Sequence, residues 1–152
     1  MSLGSLPGHL ARRFHQISTN LFDAEMRNAD INLTSVQYAA VVAIRDNPRI
    51  DQATLAAIIV YDRTTIGGVI DRLVEKGFVD RVVSETDRRA RVLTVTDAGL
   101  KTIERAEPAM SLAQQRLVSE LDNTETEELL RLLNKVVSGL GDLTSMQPGE
   151  TK

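Results

Sequence analysis

The stretch SETDRRARVLTVTDAG, residues 84–99, changes character twice. It opens as a charged turn, Ser84 to Arg91, passes into alternating β-branched residues, and closes on Thr96-Asp97, a helix-start pair. Asn-Gly would close a hairpin at lower cost, because those residues tolerate the positive φ of the favoured hairpin turns. Arg88 and Arg89 beside Asp87 therefore point to a turn with a task beyond closure. Immediately upstream, FVDRVVS (78–84) also alternates, so the two runs read as the strands of one hairpin.

Working outward, DRTTIGGVIDRLVEKG (62–77) places Ile66, Val69, Ile70, Leu73 and Val74 on one apolar stripe, with Asp62 at its start and Gly77 as the terminating glycine. DQATLAAIIV (51–60) is a shorter helix opened by Asp51, and TSVQYAAVVAIRDN (34–47) is capped by Thr34 and stopped by Pro48. Three helices followed by a hairpin give a helix-turn-helix with a wing behind it. Outside that unit, Leu10, Phe14, Ile17 and Leu21 mark a first helix from Pro7 to about Asn28. A long helix runs from Thr96 to Leu121 with a bend expected at Pro108. The last helix, TETEELLRLLNKVVSGL (124–140), has a capping-box pattern at Thr124 and Glu127. The expected fold is mainly α with a small β-hairpin wing: a winged helix-turn-helix with N- and C-terminal dimerisation helices. Residues 1–30 are the N-terminal helix of the dimerisation region, 31–99 the DNA-binding unit, 100–146 the C-terminal dimerisation helices and 147–152 a tail.

Composition narrows the function. A chain of 152 residues suits one domain, or one domain with an oligomerisation arm, and 42% hydrophobic residues suffice for a core. No apolar run reaches membrane-spanning length, so no membrane partner is expected. The start, MSLGSLPGHLARRF, has no apolar signal region, and MSLGS reads as a disordered leader. The absence of cysteine excludes disulfides, thiolate metal sites and cysteine redox sensing, and fits a cytoplasmic location. Net charge is −3, yet Arg81 to Arg91 holds four arginines against two acids, while 104–152 holds five basic against nine acidic residues. Positive charge is thus local to the wing, and the acidic excess lies in the last third.

On the outer face of helix 62–76, Arg63, Thr64, Thr65, Gly67, Gly68, Asp71 and Arg72 remain. Two glycines inside a helix cost roughly 1 kcal/mol each relative to alanine. That loss is understandable where something must approach the backbone closely, as DNA does in major-groove readout. Hydroxyls of Thr64 and Thr65 suit phosphates or base edges, and Arg63 a phosphate or guanine. The alternative is a solvated face with glycines that permit helix packing. The wing favours DNA, since arginines at a hairpin tip fit a narrow minor groove, with Asp87 placed to orient one of them by a charge-assisted hydrogen bond.

The sequence resembles the MarR (multiple antibiotic resistance regulator) family of winged helix-turn-helix regulators. The resemblance rests on LTSVQYAAVVAI, LAAIIVYDRTTIGGVIDRLVEKGFVDR and SETDRRARVLTVTDAG, residues 33–99, with the D-x-R wing signature at Asp87 and Arg89. It implies a homodimer on a pseudo-palindromic site in double-stranded DNA, with 62–72 as recognition helix and Arg89 as minor-groove arginine held by Asp87. Many members carry Ser and Arg mid-helix where this chain has Gly67 and Gly68. The apolar residues Leu129, Leu132, Leu133, Val136, Val137, Leu140 and Leu143 suit the implied dimer, on a helix that has left the compact winged unit.

The resemblance also implies release of DNA by a small aromatic carboxylate. Candidate ligand groups are His9, Arg12, Arg13 and His15 in PGHLARRFHQ, with Tyr38 facing them from the second helix: an arginine for the carboxylate, His and Tyr for hydroxyls. Solvation, dimer salt bridges or simple packing are the alternatives for these side chains. No metal or other cofactor is expected, since His9 and His15 are six apart and share no helix face. A winged-helix protein-interaction module without sequence-specific DNA binding is the second functional reading. An enzyme is disfavoured by the lack of a nucleophile–base pair, phosphate loop or metal-ligand spacing.

Overall fold

The computed structural model describes residues 2–59 and 63–141, with the backbone alone at Arg63 and Thr64. The expected cap Asp62, Leu143 of the apolar stripe, the tail and the side chains of Arg63 and Thr64 lie outside the described residues. The elements are α1 (Pro7–Asn28), α2 (Ser35–Asp46), β1 (Ile50–Asp51), α3 (Gln52–Ile58), α4 (Arg63–Glu75), β2 (Val79–Val83), β3 (Arg91–Val95), α5 (Asp97–Leu117) and α6 (Asn123–Gly139). Before α1, Leu3–Ser5 form a 3₁₀ turn, so the expected disordered leader is structured from there on; Ser5 Oγ closes it by donating to the Ser2 carbonyl.

Side-chain capping sets most helix starts. Thr34 Oγ1 accepts from the Gln37 amide while Gln37 Oε1 accepts from the Thr34 amide, a reciprocal box that opens α2. Asp51 opens α3 by accepting from the Thr54 amide at 2.8 Å and the Thr54 hydroxyl at 2.6 Å. Thr96 opens α5 through the Gly99 amide. The box on α6 is Asp122 with Glu125, one pair earlier than the expected Thr124 and Glu127. An aspartate caps at least as well as a threonine, and the earlier frame satisfies two more helical residues. Pro108 sits inside α5, which continues through it. At the end of α4, Gly77 adopts φ 72°, with Phe78 N donating to Leu73 O and Gly77 N to Val74 O. This pairing is a Schellman motif, and its left-handed residue favours glycine.

The sheet has three antiparallel strands in the order β1-β3-β2, one more than the expected hairpin. Val79 pairs with Val95 and Val83 with Arg91, while Ile50 pairs with Leu93 on the far edge. Arg49, at φ 65°, turns the chain into β1 and donates its amide to Leu93 O. The core joins Ile66, Ile70 and Leu73 of α4 to Ile44, Leu55, Leu93 and Ile103. α1 lies along α5 and contributes Phe22 and Met26. By contrast, α6 has no buried residue and touches the rest of the chain sparsely.

Candidate nucleic-acid interface

The inward stripe of α4 fixes what faces out. With Ile66, Ile70 and Leu73 fully buried, Thr65, Gly68, Asp71 and Arg72 are exposed and Gly67 is half-buried. A β-carbon at Gly68 would meet nothing within 4 Å, so packing within the chain does not require that glycine. Asp71 is committed elsewhere: its Oδ1 accepts from Arg81 Nη1 at 2.7 Å, which ties the middle of α4 to β2.

The wing tip is a folded turn. Ser84 N donates to Ala90 O and Ala90 N to Asp87 O, both at 3.0 Å, while Ser84 Oγ accepts from the amides of Thr86 and Asp87. Asp87 Oδ1 accepts from the backbone amide of Arg89 at 2.9 Å. The expected charge-assisted bond from Asp87 to an arginine side chain is therefore corrected: the carboxylate reaches its own turn's peptide at two residues' distance, an Asx-type closure. Arg91 Nη1 donates to Arg88 O at 3.3 Å. The guanidinium groups of Arg88 and Arg89 project from an exposed tip, with no acidic partner among the described residues. Between this tip, the start of α3 and Ile66 of α4 lies an open cleft of about 550 Å³, lined among others by Gln52, Asp87 and Arg89.

The ligand candidates are more dispersed. His9 is half-buried on α1, whereas Arg13 and His15 are exposed. His9 and Arg13 share a helix face at i, i+4, while His15 turns away by about 200° from Arg13. Arg13 borders a largely apolar groove of about 410 Å³ between α1 and α6, with Leu10, Phe14, Ile17, Leu129 and Leu133. Tyr38 packs edge-on against Phe22, ring centroids 5.8 Å apart, two turns beyond His15. Burial raises the Tyr38 phenol above its ordinary value, the negative charge of Glu107 adds to this, and Arg45 opposes it. One chain thus joins Arg13 to an apolar groove and leaves His15 and Tyr38 apart from it.

Comparison with known proteins meets this geometry. The MarR family model matches residues 33–90, the span from the start of α2 to the wing tip. The crystal structure of the PcaV transcriptional regulator from Streptomyces coelicolor with its natural ligand is 31% identical, covering 91% of this chain and 96% of that one, with a TM-score of 0.82. The chain belongs to the MarR family. Its members are DNA-binding transcriptional regulators and not enzymes. The structure of Bordetella bronchiseptica BpsR, described as regulated in DNA binding by 6-hydroxynicotinic acid, is 26% identical over 90% of this chain and 96% of its own, with a TM-score of 0.83. The transcriptional repressor NicR of Pseudomonas putida is 28% identical over 86% of this chain and 81% of its own.

Three contacts of this MarR chain escape sequence reasoning. The Asp71–Arg81 pair joins residues ten apart across a helix end. Lys76, just past the end of α4, donates to Asn32 O at 2.7 Å and Gln37 Oε1 at 3.1 Å, anchoring α4 to the start of α2. Gly99 in α5 is buried where a β-carbon would collide with the Phe78 carbonyl and lie 2.7 Å from Val95 Cγ1. It lets α5 close onto the end of β3. Sequence spacing carries no sign of the first two; for Gly99 the one sign is a glycine inside an otherwise good helix.

Proposed function

We propose that this MarR chain is a homodimeric repressor that binds a pseudo-palindromic operator and responds to a small aromatic acid. The wing carries the reading: a turn closed by Asp87 presents two exposed, unpaired arginines, and one of them, Arg89, lines an open cleft shared with the start of α3 and Ile66 of α4. That arrangement suits a helix in the major groove and Arg89 in the adjacent minor groove. Recognition contacts are assigned to Arg63, Thr64, Thr65, Gly67, Gly68 and Arg72, and wing contacts to Arg88 and Arg89 with Asp87 in support.

The dimer is supported by exposed apolar side chains on both outer helices. Leu10 and Ile17 of α1, Leu130, Leu132, Leu133, Val136 and Val137 of α6 and its C-cap Leu140 are exposed in the single chain. They are 40–63% exposed, so a second copy covering them would recover part of the about 1.5–3 kcal/mol that full burial of such a side chain is worth. Residues 1–30 and 100–146 then form the dimerisation region around two DNA-reading lobes, 31–99. Half-sites are expected about 34 Å apart, one turn of the duplex.

For the effector, Arg13 on the α1–α6 groove offers a carboxylate partner, and His9, His15 and Tyr38 offer hydroxyl partners once two chains are assembled. The ligand named for BpsR, an aromatic acid, supports this class. Selection of genomic fragments by the purified protein at about 150 mM salt, with Arg89→Ala in parallel, tests the reading, because nonspecific phosphate contacts weaken there. Enrichment of one inverted repeat, lost in the variant and released by an aromatic hydroxy acid, is the expected result. Binding to no site by either protein overturns it in favour of a protein-interaction module.

A further inference from the structure

The recognition helix carries no side chain at two adjacent positions, and the two gaps differ. Gly68 faces open space, whereas a β-carbon at Gly67 would lie 3.4 Å from Gln52 Nε2. The carboxamide of Gln52, the first residue of α3, therefore rests beside bare α4 backbone, next to the place a residue-67 side chain would take. Gln52 also lines the cleft that Arg89 closes from the wing side. Its neighbour Asp51 is fully engaged by Thr54, while the Gln52 amide has no hydrogen-bond partner among the described residues. An amide with two N–H donors and a carbonyl acceptor, half-buried and unpaired, thus borders an open cleft with its hydrogen-bonding capacity unspent.

Resting on the proposed DNA-binding function, we infer that Gln52 supplies the base-reading group that α4 lacks, and that it recognises adenine in the major groove. The amide N–H donates to adenine N7 and Oε1 accepts from adenine N6, a two-bond match. Guanine offers two acceptors and would set its O6 against Oε1; cytosine offers a donor alone. Gly67 keeps the position open: a β-carbon there would only touch the amide, whereas a longer side chain would compete with it for the same helix surface.

Selection from a randomised duplex library by the full chain, at about 150 mM salt, tests this, with Gln52→Ala and Gln52→Glu selected alongside. The wild type is expected to enrich a symmetric site with one adenine per half-site that Gln52→Ala no longer distinguishes, while preferences at other positions persist. Affinity for the wild-type site should fall about 5- to 100-fold in Gln52→Ala. Gln52→Glu should move the preference at that same position to cytosine, whose N4 donates to a carboxylate. A Gln52→Ala profile identical to wild type at every position, with affinity unchanged or uniformly reduced, would overturn the inference and leave the DNA-binding reading standing. Failure of the wild type to enrich any site would overturn both, and matching thermal unfolding of the three proteins excludes misfolding as the cause.

Discussion

Asp87 Oδ1 accepts from the backbone amide of Arg89 at 2.9 Å, so the acid of the wing shapes the turn and leaves the Arg89 guanidinium without an acidic partner among the described residues. The two residues should then separate in mutagenesis. Arg89→Ala is expected to weaken operator binding by about 1–3 kcal/mol with unchanged thermal unfolding. Asp87→Asn retains an acceptor oxygen and should cost about 0.5–1 kcal/mol, the difference between a charged and a neutral acceptor. Anisotropy titrations of both variants on one duplex decide it; equal losses would mean that Asp87 acts on the side chain after all.

Two glycines predict opposite stability effects. Gly68 has open space where a β-carbon would go, so Gly68→Ala should stabilise the fold by about 0.5–1 kcal/mol, the helix-propensity gain. On the proposed DNA contact of Gly68, the same methyl group should reduce operator affinity. Gly99→Ala would drive a methyl group into the Phe78 carbonyl and Val95, and should destabilise by about 1–3 kcal/mol through overpacking. Denaturant midpoints and operator titrations of both variants supply the check. Destabilisation by Gly68→Ala would assign that glycine to packing.

Much of this architecture is legible in the chain itself. The change from helical to alternating periodicity after Gly77 marks the wing, and Thr34, Asp51 and Thr96 announce their helices because capping is a local interaction. What escapes is non-local or brief. β1 is two residues long and exists through its pairing with β3, forty residues later in the chain. Asp122 and Thr124 each precede a glutamate by three, and the frame is set by where the preceding turn ends. The Asp71–Arg81 pair and the Gln52–Gly67 approach depend on how helices pack, which no spacing encodes. The proposed effector site is the least legible, since Arg13, His15 and Tyr38 lie on separate surfaces of one chain.

Acid should act on the helix-turn-helix through Asp51. The hydrogen bonds from the Thr54 hydroxyl and amide hold its carboxyl below the usual aspartate range. The unfolded chain, with an ordinary value near 3.9, then binds a proton at a pH where the folded chain does not. Stability from this group is present above that ordinary value and is lost as pH falls through the lower folded value. Asp51→Asn should therefore lower stability at neutral pH and flatten the dependence below about pH 4. Urea midpoints of the two proteins from pH 3 to 7 measure this; parallel curves would show that Asp51 is not a source of acid sensitivity.

Leu133 lines the groove between α1 and α6 while remaining 40% exposed in the single chain. In a dimer built on these helices its side chain is buried against the second copy, and a carboxylate there would be desolvated without a partner. Burying an unpaired charge costs several kcal/mol, enough to shift a dimer to monomer at micromolar concentration. The fold of 31–99 takes its core from Ile44, Leu55, Ile70 and Leu93 and should be indifferent to the change. Leu133→Asp is therefore expected to sediment at the 16.7 kDa chain mass with intact helical circular dichroism, and to lose operator binding because the two lobes are no longer linked. A variant that sediments as a dimer would move the interface off α6, and a monomer that binds the full operator with wild-type affinity would remove dimerisation from the mechanism.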